Sequence, residues 1–168
     1  MPILSRLKSA LLTWPRADEW GVSLVIYLMT ATAIAAIAVV FGLIRWQPRL
    51  DLWPVHLGVF IVPAFTEELV FRGLLIPGRG ESFHAHRWIA LSTLAFVVWH
   101  VIEATIILRN ALLFLYPAFL VCAGLLGLAC AITRYRSGSL WPAVLFHGLV
   151  VFAWQVFFSG PTIADLLR

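Results

Sequence analysis

Charge is what this sequence has least of. Only 12% of its 168 residues are Asp, Glu, Lys or Arg against 62% hydrophobic, and the mean hydropathy is +0.96. That balance excludes an ordinary soluble domain and predicts an integral membrane protein. No stretch is polar enough to make a separate soluble unit, so residues 1–168 read as one membrane domain with room for several helices. Cysteine is scarce too. Cys122 and Cys130 share one apolar segment, and eight residues of helical rise separate them by roughly 12 Å, beyond disulfide reach, so both read as packing residues. A basic stripe is also missing. The net charge is +4, but the Lys and Arg residues are scattered between apolar segments, which argues against nucleic acid as a partner and for topology signals. There is no internal repeat and no low-complexity tract.

What is present is a series of long apolar runs. Residues 1–20 alternate Arg6, Lys8 and Arg16 with Ile3, Leu4, Leu7, Leu11 and Leu12, the pattern of an amphipathic interfacial helix. A cleaved signal peptide does not fit, because the apolar run is too short and no small-residue cleavage site follows. Residues 21–44 are long enough to span a hydrocarbon core, and Arg45-Trp46-Gln47-Pro48-Arg49 marks the boundary after it. A second span is expected from about residue 52 to 76, broken at Pro63, with a polar turn at Pro77-Gly78-Arg79-Gly80-Glu81-Ser82. Further spans are expected over 87–108, 111–133 and 140–158, with a very short turn at Arg109-Asn110 and a short tail after Ser159. Gly124, Gly127, Ala129 and Ala131 give the fourth span small surfaces for close helix approach. The expected fold is therefore an all-α polytopic bundle of about five transmembrane helices plus the N-terminal helix. With Arg72 set aside as intramembrane, alternating sides place seven basic residues with the N-terminus (Arg6, Lys8, Arg16, Arg79, Arg87, Arg134, Arg136) and four opposite (Arg45, Arg49, Arg109, Arg168). This bias predicts a cytoplasmic N-terminus.

Against that background, Glu67-Glu68-Leu69-Val70-Phe71-Arg72 stands out, since ionisable groups inside a span are costly and mark functional sites by default. Glu68 and Arg72 are four apart in the acid-first order that favours an ion pair along one helix face. Glu67 lies about 100° around the helix with no basic partner of its own. His100, Glu103 and His147 complete the intramembrane set. Helical rise puts Glu67 roughly 15 Å from the loop at Pro77, His100 roughly 20 Å from Arg87 and His147 roughly 12 Å from Gly138. Three helices thus offer polar groups at similar depth, which predicts a water-accessible cavity opening toward those loops. A carboxylate paired with a histidine can take a proton from water, and a second histidine can donate to an oxyanion. Glu67 with His100 as base and His147 as donor would make a hydrolase. A proton or ion path and a purely structural polar network fit the same residues. His84 and His86 read as solvated loop histidines.

The motifs narrow this. Glu67-Glu68-Leu69-Val70-Phe71-Arg72-Gly73 resembles the EExxxR signature of the CAAX protease and bacteriocin-processing family, whose members include type II CAAX prenyl proteases. Phe96-Val97-Val98-Trp99-His100 resembles its FxxxH motif, and the run Ser139 to His147 with Trp141-Pro142 is similar to its third region. The three in order, from Glu67 to Val151, cover about half the chain, with a protease-like core over 52–158. The resemblance implies an intramembrane endopeptidase of the glutamic type, with Glu67 and His100 activating water and His147 stabilising the oxyanion. Glu68 and Arg72 would shape the site and the substrate contacts; Glu103 lies outside the motifs and fits either a substrate contact or a helix-packing hydrogen bond. No cofactor is implied by that route. A zinc-dependent variant would draw on His100, Glu103, His147 and Glu67. The family often carries Asn four residues after the last histidine, where this chain has Val151, which raises the alternative of a non-catalytic scaffold or immunity protein of the same fold. The expected partners are the bilayer and a membrane-associated protein or peptide substrate, and the minimal loops point to a bacterial inner membrane.

Overall fold

The computed structural model describes residues 3–50, 53–78 and 84–168. Leu52, where the second span was expected to begin, and Arg79, Gly80, Glu81 and Ser82 of the expected polar turn lie outside the described residues. The described chain is all-helical: α1 (Ile3–Leu12), α2 (Ala17–Val40), α3 (Trp53–Leu74), α4 (Ala85–Ile107), α5 (Pro117–Ser137), α6 (Trp141–Phe157) and α7 (Ile163–Leu167). Helices α2 to α5 are long and apolar enough to cross a membrane, and α6 is a shorter apolar helix of 17 residues. The protein is an integral membrane protein built as a polytopic bundle.

Several boundaries differ from the sequence expectation, each for a local reason. The interfacial helix stops at Leu12, and the first span starts at Ala17 rather than residue 21. Glu19 accepts the Arg16 backbone N–H at 2.9 Å, and Asp18 and Glu19 sit in the first turn, where acids complement the helix dipole. The same span ends at Val40 because Gly42 takes a left-handed φ of +66° and lets Leu43 N–H reach Ala38 O at 2.8 Å. The fourth span begins at Pro117, suited to a first helical turn. The expected short turn at 109–110 is longer, running through a 3₁₀ turn at Leu112–Leu115. After Ser159 the tail is a capped helix: Thr162 Oγ1 accepts Asp165 N–H, and Asp165 accepts the Thr162 N–H at 2.9 Å.

Pro63 breaks α3 as expected. Val62 is extended (φ −128°, ψ 118°), and wide π-helical turns at Ile61–Phe65 and Leu69–Leu74 flank a three-residue α segment, Thr66–Glu68. The last turn of α4, Glu103–Ile107, is π-helical as well. Such widened turns recur at functional sites.

Helix α5 is the axis of the bundle and packs against α2, α4 and α6. Its small residues Ala123, Gly127, Ala129 and Ala131 are buried, which permits close approach. At Gly127 a Cβ would lie 2.9 Å from both Arg72 Nη2 and Phe96 Cδ1. One end of the bundle is closed by α1. Its Ala10 is wholly buried, Arg6 donates to Leu74 O at 3.1 Å, and Leu140 N–H and Trp141 Nε1 donate to Ala10 O and Leu11 O at 2.9 and 3.0 Å. At the other end, residues 45–49 run beside the close of α6. Gln47 N–H donates to Phe157 O at 2.9 Å and Arg49 N–H to Val156 O at 2.7 Å, while Asn110 N–H donates to Leu166 O at 3.1 Å.

Candidate active site

Glu67 and Glu68 sit in the short α segment between the two π turns, and both are buried. Glu68 and Arg72 are fully buried and paired, Nη1 to Oε1 at 3.2 Å. Arg72 Nη2 also donates to Gly127 O at 2.9 Å, which ties α3 to α5. The same Glu68 oxygen accepts from His147 Nδ1 at 3.0 Å. A carboxylate paired with a guanidinium accepts only, so His147 carries its proton on Nδ1 and turns Nε2 toward Glu67 Oε2, 3.8 Å away. The fifth span is thereby bonded to Glu68 and brought to face Glu67, an arrangement that spacing along the chain does not reveal.

Glu67 itself accepts from the indole Nε1 of Trp99 at 3.2 Å on Oε1, while its Oε2 has no hydrogen-bond donor among the described residues. His100 lies across the cavity wall from it. Its Nδ1 faces Phe96 O at 2.8 Å, and a carbonyl can only accept, so Nδ1–H donates and Nε2 is left as an acceptor. The His100 ring is boxed edge-on by Phe96 (4.7 Å between centroids), Phe114 and Phe119 (both 5.5 Å). The sequence reading paired Glu67 with His100; no direct hydrogen bond joins them among the described residues, and the two share the cavity instead.

Phe96 and Trp99 are the residues whose roles the sequence reading missed. Phe96 is fully buried, lies under the Arg72 guanidinium at 4.3 Å, and meets the rings of His100 and His147. It is the packing hub of all three motifs. Trp99 supplies the N–H that orients Glu67. Both were inside the quoted FxxxH stretch, but aromatic residues in a span ordinarily read as packing. A second polar knot was missed altogether: buried His56 faces Gln155 Oε1 at 3.0 Å, and Gln155 donates to Pro161 O at 2.9 Å. An isolated histidine near a span boundary carries no spacing signal.

These groups line a cavity of about 520 Å³ whose wall includes Glu67, His100, Glu103, His147 and Val151 amid mostly apolar side chains. Helix depth had suggested an opening toward the loops near Gly78 and Gly138, but none of the described residues there lines the cavity. Its wall continues through Ile44, Leu108, Phe158 and Ile163 to the opposite end, because α1 fills the first. Among the described residues no three His, Cys, Asp or Glu side chains converge as metal ligands, so the donors suggested for zinc do not form a site and no step is derived through a metal. Val151, one turn after His147, offers no hydrogen-bond donor from its side chain.

The model of the type II CAAX prenyl endopeptidase Rce1-like family matches residues 48–153, more than half the chain and all three motifs. The chain belongs to this family. No curated protein and no solved structure matches it. Membership makes the chain a peptide hydrolase of the CAAX-type intramembrane class. The match covers α3, α4, α5 and most of α6, whereas α1, α2 and α7, which close one end of the cavity and wall the rest, lie outside it.

Proposed function

We propose that this protein is a glutamic-type intramembrane endopeptidase that hydrolyses a peptide bond of a membrane-associated protein or peptide, in a bacterial inner membrane with its N-terminus in the cytoplasm. The observation that carries the reading is that His147, hydrogen-bonded to Glu68, faces Glu67 at 3.8 Å on the wall of an apolar cavity. Glu67 Oε2 takes a proton from water while the lone pair of His100 Nε2 holds the second hydrogen, and the water oxygen attacks the scissile carbonyl carbon. His147, whose Nδ1–H is held by the Glu68 carboxylate, turns Nε2 toward the reacting centre, and a proton carried there donates to the oxyanion. The oxyanion then collapses, the C–N bond breaks, and Glu67 returns its proton to the leaving amine. Arg72 holds Glu68 in place through the buried ion pair. Glu103, on the same wall, contacts the substrate. The orientation follows the excess of basic residues on the N-terminal side.

Val151 supports one rival, a non-catalytic member of the family. The test is to incubate membrane-anchored candidate substrates with purified wild type, Glu67→Gln and His100→Ala. Fragments made by wild type and lost in both variants are expected. Identical fragments from all three would overturn the mechanism, and none from any of them with a verified binding partner would favour the rival.

A further inference from the structure

Among the described residues the cavity wall leaves out the end packed by α1 and continues toward the other, which bears on the side from which a substrate arrives. At the sealed end Ala10, Ile76 and Leu140 are fully buried, and Leu7 sits so close to Gly73 that a Cβ there would lie 2.9 Å from it. No residue of that end lines the cavity among the described residues. At the other end the wall runs on through Leu108, Phe158, Pro161 and Ile163. Exposed Trp46 and Trp53 flank this end, as belt residues at a membrane surface do. Of the described Lys and Arg residues other than Arg72, six lie toward the sealed end (Arg6, Lys8, Arg16, Arg87, Arg134, Arg136) and four toward the open end (Arg45, Arg49, Arg109, Arg168), a bias that assigns the sealed end to the cytoplasm.

We infer that the site opens on the non-cytoplasmic face and that its substrates are membrane-anchored proteins cut within an internal segment on that side. This rests on the protease reading above. The chemistry of the wall points the same way. Among its described lining residues are carboxylates and imidazoles but no Lys or Arg, so it offers no permanent cation to a free C-terminal carboxylate. A cytoplasmic prenylated C-terminus carries such a carboxylate three residues beyond its cysteine. An internal segment needs no such partner, and an extended stretch of apolar side chains suits the aromatic wall.

Single cysteines at Val151 (cavity), Ile163 (rim) and Lys8 (sealed end), in a Cys122→Ala/Cys130→Ala background, test the opening with a charged, membrane-impermeant maleimide. The expected result is labelling of V151C and I163C in right-side-out spheroplasts and its loss in inside-out vesicles, with K8C showing the reverse. If the double alanine background fails to fold, Cys122, which lines the cavity, is replaced by Val while the buried Cys130 is kept, and that single variant serves as the baseline. Labelling of V151C only in inside-out vesicles, or from the same side as K8C, overturns the inference. Mapping new protein termini in cells making wild type or Glu67→Gln is the second arm. Glu67-dependent cuts on the non-cytoplasmic side support the inference, and cuts in cytoplasmic segments overturn it. If no Glu67-dependent cut appears, the protease reading falls while the labelling still decides where the cavity opens.

Discussion

Replacing Arg72 by Met keeps the length and the apolar stem of the side chain but leaves Glu68 buried without its cation. Glu68 and Arg72 are both fully buried and 3.2 Å apart, and removing one partner of such a pair costs about 3–5 kcal/mol. Two smaller losses accompany it. The bond to Gly127 O contributes about 0.6–1.5 kcal/mol, and the stacking over Phe96 about 1 kcal/mol. Only the ion-pair part is relieved when Glu68 is neutralised as well. Glu68→Gln/Arg72→Met should therefore be more stable than Arg72→Met alone, with a coupling energy of at least about 2 kcal/mol. Unfolding by SDS titration in mixed micelles, followed by circular dichroism, measures all four members of the cycle. A coupling energy within about 0.5 kcal/mol of zero would refute the reasoning, because it would mean that the two side chains contribute to stability independently.

Two further outcomes are expected. Val151→Asn places a donor one turn beyond His147 and should raise kcat by up to about 100-fold, read from single-turnover cleavage, with little change in KM. At the C-terminal helix, hydrogen bonds from the Thr162 hydroxyl and N–H hold the Asp165 carboxyl below its usual range. A lowered folded value means the cap's contribution is present above the ordinary carboxylate range and fades as pH falls through it, below about pH 4. Amide exchange at Leu166 should be slow at pH 6 and lose its protection at pH 3 in wild type, while Asp165→Asn should lack that pH step.

Much of the fold could be read from composition because hydrocarbon imposes it. Long apolar runs must be helices there, and Pro63, Pro117 and Gly138 punctuate them where local chemistry requires. The i, i+4 pairing of Glu68 with Arg72 was likewise legible, since both partners lie on one helix. What could not be read were contacts that depend on which helices become neighbours. His147 meets Glu68 from 79 positions away, Trp99 meets Glu67 from 32, and Phe96 joins three helices through its ring. The direction of the cavity was misjudged for a related reason. Helical rise gives depth from both ends equally and cannot say that α1 folds under the bundle and stops one of them. The small C-terminal helix was missed because a cap formed by Thr162 and Asp165 is only three residues long and borders no periodic run.

The way α6 ends carries a consequence for the surrounding lipid. Its final carbonyls are met by the backbone of residues 45–49, so this helix can finish below the level at which water would otherwise have to solvate it. Its 17 residues rise about 26 Å, short of the roughly 30 Å of a typical hydrocarbon core. Where this helix meets lipid, the bilayer can match it by thinning a few ångströms, and such a dip would fall where the wall of the cavity runs through Phe158. Headgroups and their hydration are drawn inward there. A substrate whose span stops at the ordinary membrane surface would then have its adjoining segment lowered toward Glu67 by the shape of the lipid, before any contact with the protein is made.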